Sequence, residues 1–338
     1  MNGSDKMREY ISGFASQLKT GYEIGGKADL PKGKFSSIII CGMGGSAIGG
    51  DLLLGLARTS LKIPAFVNRT YALPEWVNEK TLAIFSSYSG GTGETLSCFE
   101  EAQKRKCPSL SVTTGGKLAE LSEKAGVPCV KIPGGLPPRA ALGFSFSPML
   151  KIFERLRFVE SMENDLREAV SLIEKSITEF AETTGSPAKS ASHLKGKIPV
   201  FYTDGFRLEA IGTRFACQMN ENAKTLAFSN VFPELNHNEI VGWGIPGFTI
   251  DDLIPVFIMD ADSRPEVKLQ METTFKILKK AKIECHTVES VGESFLTRML
   301  YLVHFADWLS WHLAKINNVD PIPIERINLL KEELNKRM

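Results

Sequence analysis

Short apolar runs alternate with helical periodicity through the first half of the chain. Runs that predict strands lie at 37–41, 63–67, 81–85, 110–113 and 128–132. Helical periodicity fills the intervals, as at 94–106 and 117–125. Continuous apolar strands between helices are typical of a parallel sheet that is covered on both faces. The pattern predicts an α/β fold with a doubly wound sheet, in the flavodoxin-like order 2-1-3-4-5.

The second half repeats the strand–helix rhythm after a helical region. Helices are predicted at 144–158 and 160–184, and the Gly-, Ser- and Pro-containing segment 185–192 is interpreted as a linker. Further strands are predicted at 198–205, 254–260 and 284–288, followed by a long helix at 293–316. An extended, proline-containing segment then precedes a short terminal helix. We therefore expect one doubly wound domain at 1–150, a helical connection and linker at 151–192, and a second such domain at 193–338.

Two loops rich in serine and glycine follow the first and third predicted strands, at 42–47 and 86–95. In the predicted strand order these two strands are neighbours at the switch point, where ligands of such sheets bind. Glycine allows close backbone approach, and hydroxyls and helix N-terminal N–H groups bind anions. The loops therefore predict a site for one phosphorylated small molecule.

Residues 42–47 also match the dinucleotide pattern G-x-G-x-x-G/A. The second predicted strand is followed by Asn68 and Arg69 rather than by an acid that could hold a ribose, although an arginine suits the 2′-phosphate of NADP. A glycine turn that serves only strand–helix packing is the remaining alternative. The hydroxyls of the second loop favour phosphate binding over both.

Composition narrows the class of protein. The net charge of +1 gives no excess of positive charge that would indicate binding to nucleic acid or to an anionic membrane. The six cysteines form no Cys-x-x-Cys pair, which fits a reducing cytoplasm, and the histidines form no metal motif. The apolar stretch 299–314 contains His304, Asp307 and His312, so it predicts a packed helix with core histidines rather than a membrane span. Neither a metal nor another cofactor is expected.

Three further residues are candidates for chemistry. Arg139 follows the rigid pair Pro137-Pro138 and could recognise an anion or simply pair with a surface carboxylate. Glu221 and His237 lie in two polar clusters, at 218–224 and 234–239. A carboxylate and a histidine in neighbouring polar turns are candidates for proton transfer, but ordinary loop chemistry would give the same pattern.

Six segments together resemble the bifunctional phosphoglucose/phosphomannose isomerase family, which is built from two sugar isomerase (SIS) domains. The segments are 42–50, 86–95, 137–143, 220–222, 236–239 and 327–331. They run across nearly the whole chain in the family's order. The resemblance implies two SIS-type doubly wound domains that interconvert fructose 6-phosphate with glucose 6-phosphate and mannose 6-phosphate, without a cofactor.

The resemblance also implies roles for individual residues. The 6-phosphate would be bound by Gly45, Ser46, Ser87, Ser89 and Thr92. Glu221 would transfer the proton between C1 and C2, and Arg139 would stabilise the enediolate. His237 and Lys331 would assist ring opening, with His237 contributed by the partner subunit of a homodimer. The family often carries threonine where this chain has Ile322, which bears on the mannose activity.

Two other functions fit the same loops. One is a different SIS isomerase, acting on a pentose 5-phosphate or an amino sugar. The other is a non-catalytic sugar-phosphate sensor, which would carry an effector domain that the first 35 residues are too few to supply. The expected partner in every case is a small sugar phosphate, not a nucleic acid or a membrane.

Overall fold

The computed structural model describes residues 2–244 and 252–336. The first half of the chain is organised around a parallel five-stranded sheet. Its strands are β1 (Ser37–Cys41), β2 (Ala65–Asn68), β3 (Thr81–Ser86), β4 (Ser109–Thr113) and β5 (Cys129–Lys131). Their spatial order is β2-β1-β3-β4-β5, and every neighbouring pair is parallel. The predicted order 2-1-3-4-5 is confirmed for this sheet.

Helices cover both faces of the first sheet. In chain order the helices of the first half are α1 (Gly3–Ser12), α2 (Phe14–Lys27), α3 (Gly44–Ala57), α4 (Gly93–Lys104), α5 (Gly116–Ala125), α6 (Leu142–Arg155) and α7 (Glu163–Ala181). Strand β1 shows why its sequence is apolar at every position. Ile38 and Ile40 pack in the cluster that contains α2, α3 and α6, whereas Ile39 and Cys41 pack with side chains of α4 and α5. Successive residues of a strand face opposite sides, so a doubly covered strand has no polar face.

The second half contains a parallel sheet of β6 (Ile198–Asp204), β7 (Phe228–Phe232), β8 (Leu253–Met259) and β9 (His286–Glu289). The remaining helices are α8 (Ser186–His193), α9 (Glu209–Asn222), α10 (Pro265–Lys280), α11 (Phe295–Ile316) and α12 (Glu325–Asn335). The strand order is β7-β6-β8-β9. It reproduces the first four positions of the 2-1-3-4-5 order, and the described residues form no fifth strand, contrary to the expectation for this half.

Helix α8 occupies the segment interpreted as a linker. Proline in its first turn is compatible with a helix start, because the first N–H groups have no helical partner. The Ser186 N–H donates to Glu179 Oε1 at 2.5 Å, which fixes that start on the end of α7. Its small residues Ala188 and Ala191 are buried in the fold. The small side chains that suggested a linker therefore allow close helix packing.

One hydrophobic cluster extends through both halves of the chain. It contains Ile38 of the first sheet, Val256 of the second and Trp308 of α11, all with no exposed surface. Helix α11 is buried along most of its length, as expected, and carries His304, Asp307 and His312 inside the protein. Within the described ranges, no helix is both long and apolar enough to cross a bilayer.

Candidate active site

The two serine- and glycine-rich loops lie side by side, because each follows one of two adjacent strands. The first joins β1 to α3, and the second joins β3 to α4. The residues before these helices, Met43 and Thr92, are extended and make no side-chain capping hydrogen bond. The first N–H groups of α3 and α4 are therefore left for another acceptor, as in a phosphate site.

Hydrogen bonds tie the loops together and shape the second loop. The Tyr88 N–H donates to Ser46 Oγ at 3.1 Å, across the two loops. Ser87 Oγ and Thr92 Oγ1 lie 2.9 Å apart, and the Gly90 N–H donates to Ser87 Oγ at 3.1 Å. Ser46 and Ser87 are buried, whereas Ser89 is exposed and Thr92 is half-buried. The five predicted phosphate residues therefore include two internal supports and two accessible hydroxyls.

Gly45 brings the first loop against the turn that carries Arg139. A Cβ atom at Gly45 would lie only 2.7 Å from the carbonyl oxygen of Pro138, so a larger residue would push the two segments apart. Arg139 lies in a single 3-10 turn, Pro138–Ala140, whose start is set by the preceding proline. The close approach places the turn that carries Arg139 next to the first serine- and glycine-rich loop.

Arg139 is 4% exposed and is held by acceptors from the second half of the chain. Its Nε donates to Asn222 Oδ1 at 2.7 Å, and its Nη2 donates to the carbonyls of Pro321 and Ile322 at 2.6 and 2.8 Å. Its Nη1 lies 3.7 Å from Glu221 Oε2. Burial lowers the pKa of the guanidinium from its ordinary value, and the nearby Glu221 carboxylate acts in the opposite direction. An arginine remains charged at neutral pH in either case.

Glu221 lies in the last turn of α9, and its side chain is 31% exposed. Lys224 follows that helix and donates to the carbonyls of Glu221 and Pro323, at 2.6 and 2.7 Å. The segment 321–323 is thus bonded to both Arg139 and Lys224. The structure therefore brings the predicted base and the predicted electrostatic group together from positions 82 residues apart in the sequence.

Side chains to which the sequence analysis gave no role in the site lie behind this pair. Arg214 donates through Nη2 to the Arg139 carbonyl and to Asp307 Oδ1, both at 2.7 Å. Asn222 Nδ2 donates to Ser310 Oγ at 2.9 Å. Asn222 belongs to the segment 220–222 that carries the family resemblance, but no local signal gives it, Arg214 or Ser310 a role, because their partners lie 75 to 93 positions away.

His237 and Lys331 are not brought to Glu221 within this chain. His237 ends a short 3-10 turn after β7 and is exposed, and Lys331 is exposed on α12. In the described part of the chain, no hydrogen bond or ion pair joins either side chain to Arg139 or Glu221. Helix α12 also exposes the apolar side chains Ile327, Leu330 and Leu334.

A separate cleft of about 450 Å³ lies between the second half of α3 and the connection from β6 to α9. Arg58, Arg69 and Arg207 line it, together with Asp51 and Glu209. None of the predicted site residues contributes to its lining. The cluster of Arg139, Glu221 and the two loops is therefore distinct from this cleft.

Similarity to known proteins extends over nearly the whole chain. Residues 185–334 match the family described as bacterial phospho-glucose isomerase C-terminal SIS domain. A bifunctional phosphoglucose/phosphomannose isomerase from Caldicellulosiruptor bescii is 37% identical over 97% of this chain and 98% of its own length. A second protein of that name, from Aquifex aeolicus, is 35% identical over 98% of this chain and 99% of its own.

Among solved structures, a hypothetical protein from Thermus thermophilus superimposes with a TM-score of 0.77 and covers 99% of this chain and 94% of its own. Its sequence identity is 16%, so this similarity concerns the fold. The identities with the two full-length relatives exceed what a shared fold alone produces. The chain therefore belongs to the bifunctional phosphoglucose/phosphomannose isomerase family, with the α/β architecture of SIS proteins.

Proposed function

We propose that this protein interconverts fructose 6-phosphate with glucose 6-phosphate and mannose 6-phosphate. The observation that carries the proposal is the pairing of Arg139 with Glu221 beside two uncapped helix N-termini. A carboxylate, a fixed cation and an anion cradle are the groups that an aldose–ketose isomerase of a phosphosugar requires. The printed names of the full-length relatives support the same activity.

The phosphate of the substrate binds at the two loops. Ser89 and Thr92 supply accessible hydroxyls, and Gly45 and the N-termini of α3 and α4 supply backbone N–H groups. Ser46 and Ser87 hold the loops in place through Tyr88 and Gly90. Binding energy gained at the phosphate positions the reacting carbons without taking part in the proton transfer.

Glu221 removes the proton from the carbon next to the carbonyl and returns it to the neighbouring carbon. The intermediate is an enediolate, whose negative charge faces the Nη1 group of Arg139. A preorganised cation in a buried site stabilises such a charge far more than water would. The reaction leaves the sugar with the same oxidation state overall, so it calls for no redox cofactor.

The mannose activity uses the same groups. The enediolate has no stereocentre at C2, so proton return to either face gives glucose 6-phosphate or mannose 6-phosphate. The backbone of Ile322 lies at the site, since its carbonyl accepts from Arg139. Its side chain replaces the hydroxyl that the family often carries there, and we expect it to influence the ratio of the two aldoses.

We further propose a homodimer in which His237 of one protomer completes the site of the other. The exposure of His237 and its separation from Glu221 in this chain support that assignment. Lys331 would assist ring opening, and the exposed apolar face of α12 supports a role of this helix in the subunit contact.

Two further proposals concern location and domain organisation. Six unpaired cysteines support a cytoplasmic location. The division of the chain into domains at 1–150 and 193–338, joined by a connection at 151–192, is retained as a proposal.

The first experiment incubates chelator-treated protein with fructose 6-phosphate and identifies the products by chromatography. We expect glucose 6-phosphate and mannose 6-phosphate from the wild type, and a loss of roughly 100- to 10,000-fold in kcat for Glu221→Gln, since general-base catalysis contributes on that order. Glu209→Gln, an exposed glutamate at the other end of α9, is the matched control and should keep full activity. Substrate binding without product, and without exchange of the C2 proton with solvent, would favour a sensor instead.

A further inference from the structure

The hydrogen-bond donors of Arg139 are distributed unevenly among its partners. A guanidinium has five N–H donors. Three of them are used by Asn222 Oδ1 and by the carbonyls of Pro321 and Ile322. The remaining nitrogen, Nη1, faces Glu221 at 3.7 Å, beyond hydrogen-bond distance. Every acceptor that holds Arg139 in place is therefore electrically neutral.

Two other buried arginines are held differently. Arg214, 2% exposed, donates to the Asp307 carboxylate at 2.7 Å. Arg298, 3% exposed, donates to Asp260 at the same distance. A buried cation is costly unless an anion compensates it, so pairing with a carboxylate is the ordinary arrangement. Arg139 differs because, among the described residues, no carboxylate oxygen lies within hydrogen-bond distance of it.

The orientation of the Asn222 amide is fixed by α11. A backbone carbonyl can only accept, so the Ser310 hydroxyl donates its hydrogen to the Asp307 carbonyl at 2.7 Å. Ser310 Oγ then accepts from Asn222 Nδ2, which turns Asn222 Oδ1 toward Arg139. Asn222 is fully buried, so no water replaces either partner.

We propose that Asn222 is a positioning residue whose neutrality matters as much as its geometry. It holds Arg139 at Nε without adding a negative charge, and so leaves the guanidinium charge to act at Nη1, on Glu221 and on the enediolate. A carboxylate at the same place would occupy the same volume and keep the hydrogen bond, but its charge would cancel much of the field at Nη1. This inference rests on the proposed isomerase function.

The decisive variant is Asn222→Asp. The Ser310 hydroxyl can rotate to donate to the second carboxylate oxygen, so the variant retains a bonded network. We expect kcat to fall by about 100-fold, because loss of one preorganised electrostatic group lowers kcat by roughly that factor. The KM for fructose 6-phosphate should change by less than about threefold. We expect resistance to denaturant to be equal to or higher than that of the wild type, because a buried carboxylate now faces a buried guanidinium.

A merely structural role for Asn222 would move activity and stability in the same direction. Asn220→Asp adds the same charge two positions earlier on the same helix, at a side chain that donates to the carbonyls of Ala216 and Ala227 and makes no described hydrogen bond to Arg139. It should leave kcat within about threefold of the wild type. Binding of arabinonate 5-phosphate, whose carboxylate mimics the enediolate charge, should weaken about 100-fold in Asn222→Asp, whereas binding of inorganic phosphate should not change.

A double-mutant cycle gives a second test that does not depend on the folding of Asn222→Asp. Asn222→Ala should lower kcat in the wild-type background and have no further effect in an Arg139→Ala background. Equal effects in both backgrounds, or a wild-type kcat in Asn222→Asp, would overturn the inference. A wild-type protein that yields no aldose phosphate would instead overturn the proposed function, so the two failures are distinguishable in one set of assays.

Discussion

His304 is a titratable side chain in the centre of the core. Its ring is stacked between Phe14 and Phe180, and its Nε2 accepts from Trp308 Nε1 at 3.0 Å. Its Nδ1 has no hydrogen-bond partner in the described part of the chain. Burial lowers the pKa of His304 to about 3. The folded protein therefore keeps this ring neutral at pH values where an exposed histidine takes up a proton.

We predict that this histidine makes the protein less stable in mild acid. Below about pH 6.5 the unfolded chain binds a proton at His304, whereas the folded chain does so only near pH 3, so the free energy of unfolding falls as the pH falls through that window. The loss due to His304 is about 2 kcal/mol at pH 5 relative to pH 8. Denaturant unfolding at both pH values measures it.

His304→Gln keeps an acceptor for Trp308 and removes the titration. The difference in unfolding free energy between pH 8 and pH 5 should shrink by about 2 kcal/mol in this variant. Part of the pH dependence should remain, because burial also lowers the pKa of His286, to about 4. An unchanged pH dependence would contradict the assignment to His304.

The residues with chemical function were predictable only where a local pattern reveals them. Gly45, Ser87 and Arg139 lie in short motifs with a physical meaning, a glycine turn or a rigid proline turn. Asn222 and Arg214 act through contacts between residues 75 or more positions apart, so their identity alone does not distinguish them from ordinary helix residues. The site assignments themselves remain predictions.

At the scale of elements, the conformation of the second proposed phosphate loop depends on one left-handed glycine. Gly90 has φ +67°, and a Cβ atom there would overlap the carbonyl oxygen of Gly115. The Gly90 carbonyl also accepts from the Leu118 N–H at 2.8 Å. The loop is therefore docked on the connection between β4 and α5, and this docking sets where α4 begins.

We predict that Gly90→Ala raises KM for fructose 6-phosphate by about tenfold or more, a loss of about 1.4 kcal/mol in binding. Displacement of the loop moves Ser89 and Thr92 away from the phosphate. Gly126→Ala is the matched control, because Gly126 has the same φ of +67° but open space around it. Gly126→Ala should lower the free energy of unfolding by about 1–2 kcal/mol without a change in KM. Equal KM values for all three proteins would count against the loop as a phosphate site.

The sequence predicted the first sheet well because each strand is a continuous apolar run between helices. Strand β7 was missed, since this edge strand exposes Phe228 and lacks a fully buried run. Helix α8 was interpreted as a linker because its composition resembles one, and only packing on the fold distinguishes the two. Both elements owe their structure to packing against neighbours rather than to a periodic pattern of their own. A single sequence therefore does not predict them.

At the scale of the whole molecule, the two halves are joined by a shared core and by a shared site. Trp308 and Ile38 belong to one buried cluster, and Arg139 from the first half is bonded entirely to the second. The two halves cannot separate without breaking both. We therefore expect each protomer to unfold as one cooperative unit.

Mixing two inactive variants tests the shared site of the proposed homodimer. Glu221→Gln and His237→Asn chains should each be inactive as pure proteins. When they are unfolded together and refolded, half of the dimers are mixed, and one of the two sites in each mixed dimer has both residues intact. About a quarter of the wild-type activity should return, measured as product formed per protomer. No recovery, despite mixed dimers detected by mass spectrometry, would place both residues in one subunit, whereas activity of the pure His237→Asn protein would show that His237 is dispensable.

The anchoring of Arg139 has a consequence for protein synthesis. Its carbonyl acceptors at Pro321 and Ile322 follow it by 182 and 183 positions. At about 5–20 residues per second, a ribosome needs roughly 10–40 s to cover that interval. The early half of the nascent chain can form its sheet and both serine- and glycine-rich loops during this time, while Arg139 still lacks these two carbonyl acceptors. A chain released before Pro321 therefore carries a guanidinium that Asn222 alone, of its three hydrogen-bond acceptors, can hold.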